Sequence, residues 1–179
     1  MANKHHLFLI TGWALNAAML ISLALTAVLV LAFGVCALAG AGLIHLPIPL
    51  EDLKDITDVP LTLVFLAGAV ACASGVFLLA LLTLMLLMTG RIVKSADQDP
   101  FVEDNARRLM QIGWLLVAMQ AVGLGAGMIM ALFPKPVRDH VQAGFDFSPV
   151  GLLAVLLIFV LAQIFRRGAQ MRDELEGTV

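Results

Sequence analysis

The sequence predicts an all-α integral membrane protein: a four-helix up-and-down bundle with cytoplasmic helical extensions, one domain over residues 1–179. Three observations carry this. Of the 179 residues, 61% are hydrophobic and only 13% charged, and a soluble domain of that size has too much surface for its volume to hide so much apolar material. Four apolar runs, at about 8–44, 60–89, 109–133 and 149–166, each reach the roughly 17–25 residues that a membrane helix needs. Lysine and arginine divide unevenly between the two sides that these runs define. Lys4, Arg91, Lys94, Arg107, Arg108, Arg166, Arg167 and Arg172 fall on one side, and Lys54, Lys135 and Arg138 on the other. The positive-inside rule then places both termini and the segments 90–108 and 167–179 in the cytoplasm.

The first run is longer than one crossing requires, so its helix must tilt or project. Ala37-Leu38-Ala39 imitates a signal-peptidase site, but a signal's apolar region is only about 7–15 residues long, so cleavage is not expected. The loop HLPIPLEDLKDITDVP follows, stopped by Pro47, Pro49 and Pro60, since proline cannot continue a helix. A short helical turn is expected over Asp52 to Asp58. The second run carries small residues at Ala67, Ala71 and Gly75, and at Gly68 and Cys72. That four-residue spacing predicts a smooth face for close helix approach.

Between the second and third runs lies DQDPFVEDNARRLMQIGW. Asp99 is expected to cap a helix with Pro100 in its first turn, and Glu103 and Asp104 suit the positive end of the helix dipole. The third run holds the pair Gly123 and Gly127, read as a second close-packing site facing the second span. The next loop, PKPVRDHVQAGFDFSP, ends in Ser148-Pro149, a cap-and-first-turn signal for the fourth span. That span continues as FRRGAQMRDELEGTV, expected to be an amphipathic extension ended by Gly177. Phe101 and Leu109 are expected to pack towards Met171 and Leu175, with Arg107 or Arg108 reaching Glu174 or Glu176, so that the two cytoplasmic segments form a folded cap.

The spans offer no chemistry. Ionisable residues are missing from their interiors, with Arg166 closing the fourth, whereas proton relays and ion-coupled transporters place such groups inside the membrane. Asn16, Ser22, Thr26, Ser74, Thr83, Gln120 and Gln163 are read as hydrogen-bonding groups between helices. Cys36 and Cys72 both lie in apolar runs, and the chain lacks a C-x-x-C pair, which makes them packing residues rather than a redox or zinc site. The histidine pairs His5 with His6, and His45 with His140, lack the spacing of a haem or metal site. The expectation is therefore a non-enzyme, without cofactor or metal. The net charge of -2 gives no footprint for direct nucleic-acid binding.

Asp99-Pro100-Phe101, Asn105 to Leu109, Ile112-Gly113-Trp114 and the closing Asp173 to Val179 resemble the bacterial four-span membrane proteins of domain-of-unknown-function family twenty-nine seventy-five. The likeness covers nearly the whole chain, with its specificity in the two cytoplasmic segments. Members resemble one another in being encoded beside a very small helix-turn-helix regulator. The resemblance implies a bacterial inner-membrane protein that binds or sequesters that cytoplasmic DNA-binding partner. It supplies no catalytic residues. The residues expected to meet such a partner are Asp99, Pro100, Phe101, Asn105, Arg107, Arg108, Arg166, Arg167, Arg172, Asp173 and Glu176. The other partners are the lipid bilayer and a second copy of the chain. A small oligomeric transport or permeation module is the alternative function, resting on the four-span size and the glycine and alanine faces.

Overall fold

A computed structural model describes residues 2–44, 59–96, 99–141 and 148–176. Five helices occupy them: α1 (Ala2–Gly40), α2 (Leu61–Ala96), α3 (Glu103–Ala131), α4 (Lys135–His140) and α5 (Pro149–Glu176). Strands are absent among the described residues. The expected all-α, four-span class stands: α1, α2, α3 and α5 are each long and apolar enough to cross a membrane. Protein buries little of their apolar windows, 6% in α1 and none in α2, so the solvent for those side chains is lipid. The protein is a multi-pass membrane protein. At about 1.5 Å per residue, the 39 residues of α1 reach about 58 Å, nearly twice the hydrocarbon thickness.

The helix ends show why the chain turns where it does. The first apolar run was expected to stay helical to about residue 44, yet α1 stops at Gly40. Gly42 takes φ +72°, the left-handed conformation that costs glycine nothing. Leu43 N then donates to Leu38 O and Gly42 N to Ala39 O, both at 3.0 Å, the paired bonds of a Schellman end. At the other boundary, Ser148 Oγ accepts from Gly151 N at 3.2 Å, and α5 starts at Pro149, as the Ser-Pro signal predicts.

The chain forms two compact units. The first gathers Met1–Leu23, Leu81–Gln120 and Ser148–Val179. In it α1 meets α2 through a 2.9 Å hydrogen bond between Ser22 and Thr83, a membrane interaction that contributes about 0.6 kcal/mol. Ser22 is buried. In the same unit α3 meets α5 at glycines. A methyl group on Gly113 would stand 2.7 Å from Phe159 Cε1, and Trp114 sets its ring edge on Phe159, 5.7 Å between centroids. A methyl on Gly151 would collide with Gln120, whose Nε2 donates to Ser148 O at 2.9 Å. Leu109, Ile112, Val155 and Ala162 fill the interior around these contacts.

The second unit comprises Ala24–Ala80 and Ala121–Phe147. Its core is Ala67, Met130 and Val137, edged by Val64, Val70, Ala71 and Phe133. Val137 comes from α4, a short helix in what reads from sequence as a loop. Pro134 is its cap and Pro136 stands in its first turn, where a missing N–H is harmless. On its other side α2 meets α1: a methyl on Gly75 would lie 2.9 Å from Leu29 Cδ1, and one on Gly68 would lie 3.3 Å from Cys36 Sγ. The one smooth face expected of these small residues is therefore corrected to two, with the close approach at Gly68 and Gly75 as expected. Steps of four drift by about 40° each around a helix of 3.6 residues per turn. Ala67 and Ala71 join the Met130 core while Gly75, seven residues from Gly68, shares the side turned to α1. Gly123 also departs from expectation, with nothing within 4 Å of where its methyl would be. Gly127 is half-buried. Cys36 and Cys72 are both free thiols.

Candidate partner-binding surface

The candidate residues Asp99, Pro100, Phe101, Asn105, Arg107 and Arg108 lie at the elbow between α2 and α3, in the first unit, and the others on α5. The helix expected at Pro100 begins instead at Glu103. Asp99 is the reason: its Oδ1 accepts from Phe101 N at 3.0 Å, closing a local turn that competes with helix. The first helical bond is then Asn105 N to Val102 O, 2.9 Å.

Asn105 holds the elbow shut. It is 0% exposed. Ser95 Oγ, near the end of α2, donates to its Oδ1 at 2.6 Å. Its Nδ2 donates to Pro100 O at 3.2 Å. Arg108 Nη1 donates to the same Oδ1 at 3.0 Å and comes to 3.4 Å from Ser95 Oγ. A buried amide needs partners for its donor and acceptor, because each left unmade costs about 1–3 kcal/mol. Asn105 is thus no surface contact for a partner, and Arg108 is half-buried against the same elbow. The Asn105 assignment is corrected: its side chain, held by Arg108, shapes the segment that others display.

The elbow docks on α5 through two contacts. Phe101 stacks at a tilt on Phe165, centroids 5.3 Å apart, and lies over Gly168, where a methyl would stand 2.6 Å from Phe101 Cδ1. Asp99 Oδ2 forms an ion pair with Arg172 Nη1. The folded cap exists, with partners other than those expected. Phe101 uses Phe165 and Gly168 because its ring fits into the gap a glycine leaves. Leu109 points inward at 7% exposure, while Met171 and Leu175 stay 60% and 72% exposed. Arg107 pairs with Glu103 on its own helix at 2.9 Å, the i,i+4 neighbour that geometry favours. Ser95, Phe165 and Gly168 escaped the sequence reading. The Phe165-x-x-Gly168 spacing was the available signal for the last two.

Around this frame the remaining candidates face outward. Arg166, Arg167 and Asp173 are exposed, as is Pro100. Arg166 shares a shallow hollow of about 250 Å³ with Glu103, Arg107 and Met110. The side chain of Glu176, the histidine side chains considered above, Phe145, Phe147 and the segment Asp52 to Asp58 lie outside the described residues. Among those described, clusters of three or more His, Cys, Asp or Glu with metal-binding geometry are absent.

A family profile described as protein of unknown function, DUF2975, matches residues 51–179, or 129 of the 179 residues. The chain belongs to the DUF2975 family. The matched stretch holds α2 through α5, including the whole elbow and its docking site on α5, and leaves α1 outside. Curated proteins and solved structures yield no match to the chain.

Proposed function

We propose that this DUF2975 member is a non-enzymatic bacterial inner-membrane protein, with both termini cytoplasmic, that binds a small helix-turn-helix regulator on its cytoplasmic surface. The observation that carries the reading is the exposed apolar pair at the end of the α5 extension. Met171 and Leu175, one helical turn apart, stay 60% and 72% exposed beyond Arg166 and Arg167, beside the stripe of that helix on which Asp99 and Phe101 dock. Two large apolar side chains set among charges suit the groove of another protein better than water. The basic pairs and the exposed Glu103–Arg107 bridge supply a polar rim of both signs, which favours steering and specificity more than affinity. The partner reads DNA; this chain, with its net charge of -2, does not.

The experiment is co-purification of the tagged protein with a co-expressed small helix-turn-helix protein of the kind expected beside its gene. Retention by the wild type, lost in M171E/L175E that still elutes as folded protein, is expected. Absence of retention with and without crosslinker would remove the reading.

A further inference from the structure

Within the first unit, α1 and α2 approach closely where Gly90 faces Leu15; a methyl on Gly90 would stand 3.2 Å from Leu15 Cδ2. Beside this contact opens a groove of about 530 Å³, a volume typical of small-molecule sites, which run from roughly 300 to 1,000 Å³. Its walls are graded. Leu15 and Met19 of α1 and Leu87 of α2 line it with hydrocarbon, and Asn16, Arg91 and Lys94 make it polar. Leu87, Arg91 and Lys94 follow at steps of four and three, so they share one side of α2, apolar first and cationic towards its end.

Two further observations say what suits this groove. Trp13, on the neighbouring turn of α1, is 80% exposed, and exposed tryptophan on a membrane helix marks the headgroup level. The cationic end of the groove therefore lies at the lipid phosphates, and the apolar end runs into the hydrocarbon. The described carboxylate bridges, Glu103 to Arg107 and Asp99 to Arg172, engage other cations. Arg108 Nη1 comes to 3.5 Å from the carbonyl of Arg91, which brings a third positive charge to the same turn. The site thus gathers positive charge at headgroup depth with an apolar channel leading from it.

We propose that this groove holds one anionic phospholipid, its phosphate on Arg91 and Lys94 and an acyl chain along Met19 and Leu87. Charge selects an anionic over a zwitterionic headgroup, and the hydrocarbon walls select a lipid over free phosphate. Basic pockets between membrane helices are a known physical solution for such headgroups. The site is independent of the α5 surface, so either can fail alone.

Native mass spectrometry of the purified full-length protein tests this, with phosphatidylglycerol and phosphatidylcholine of equal chain length offered together. Each lysine or arginine near a membrane surface attracts anionic lipid enough for a several-fold preference, so the pair should retain one phosphatidylglycerol roughly tenfold over phosphatidylcholine. R91Q/K94Q should bring that ratio close to one, and K135Q/R138Q should leave it unchanged. Met19→Trp, which keeps both cations and fills the apolar end, should lower retention of phosphatidylglycerol and so gives an answer even where the double variant misfolds. Equal retention of the two lipids by the wild type would overturn the proposal. So would a preference untouched by R91Q/K94Q, or displacement of the lipid by inorganic phosphate.

Discussion

At the scale of single residues, the side chains that matter most here are those with no room to change. Asn105 is buried and joins Ser95, Pro100 and Arg108. Asn105→Leu keeps the branched four-atom shape and removes both ends of the amide, stranding the Pro100 carbonyl and the Arg108 guanidinium. A loss of about 1–3 kcal/mol is expected, read as a lower thermal midpoint in detergent, whereas Arg107→Gln, at an exposed bridge, should shift it little. Glycines divide just as sharply. Gly75→Leu must push Leu29 away from 2.9 Å, while Gly123→Leu enters open space. The first should destabilise the detergent-solubilised protein strongly and the second hardly at all; equal midpoints for the two would contradict the described contacts. Both glycines look the same in the sequence, because small-residue spacing marks where helices can approach, not which of several candidate faces does. Asn105 was legible as important but not as buried. Its partners Ser95 and Pro100 are ten and five residues away, and no periodicity reports a contact made across an elbow.

Elements were more legible than residues, and the failures are local. Hydropathy located four helices because lipid accepts almost any apolar face, so the signal survives without fine pattern. The Ser148-Pro149 cap worked because both parts of the motif act within one turn. The start of α3 failed because Asp99 has two competing uses, helix cap or turn closure, and the turn also frees its second oxygen for Arg172. α4 was missed since six residues are too few for a period to show; the clue was Pro134 and Pro136 ahead of Val137 and Val141. The docking of the elbow on α5 yields a test at this scale. Arg172 keeps 48% of its side chain exposed, so its coupling to Asp99 in a double-mutant cycle should be only about 0–1 kcal/mol. Phe101 over Phe165 and Gly168 should dominate instead. Gly168→Leu is expected to expel the Phe101 ring and speed amide exchange over residues 101–106 more than Arg172→Gln does. The reverse order would show that charge, not the ring, holds the elbow down.

For the molecule as a whole, orientation is the property on which the regulator-binding reading depends, and it rests on charge rather than on contacts. Eight of the eleven lysines and arginines lie on the side of both termini, and the K/R bias of short flanking segments sets how such a chain inserts. The same side carries the elbow, the α5 extension with Met171 and Leu175, and the cationic end of the α1–α2 groove. A cytoplasmic regulator is reachable only if that side is cytoplasmic, whereas the groove meets whichever leaflet that side faces. Single cysteines placed near Asp55 and Asp139, in a background where Cys36 and Cys72 are serine, should react with a membrane-impermeant maleimide in intact cells. Cysteines near Gln98 and Thr178 should react only after the membrane is opened. Labelling of Gln98→Cys from outside would reverse the orientation, removing the regulator-binding reading at once while leaving the lipid groove to the opposite leaflet. Shifting the bias with added charge makes the argument causal: arginines inserted beside Lys54 and Lys135 should yield a mixed population in the same assay, since no other feature of the spans, all free of interior charge, prefers one direction over the other.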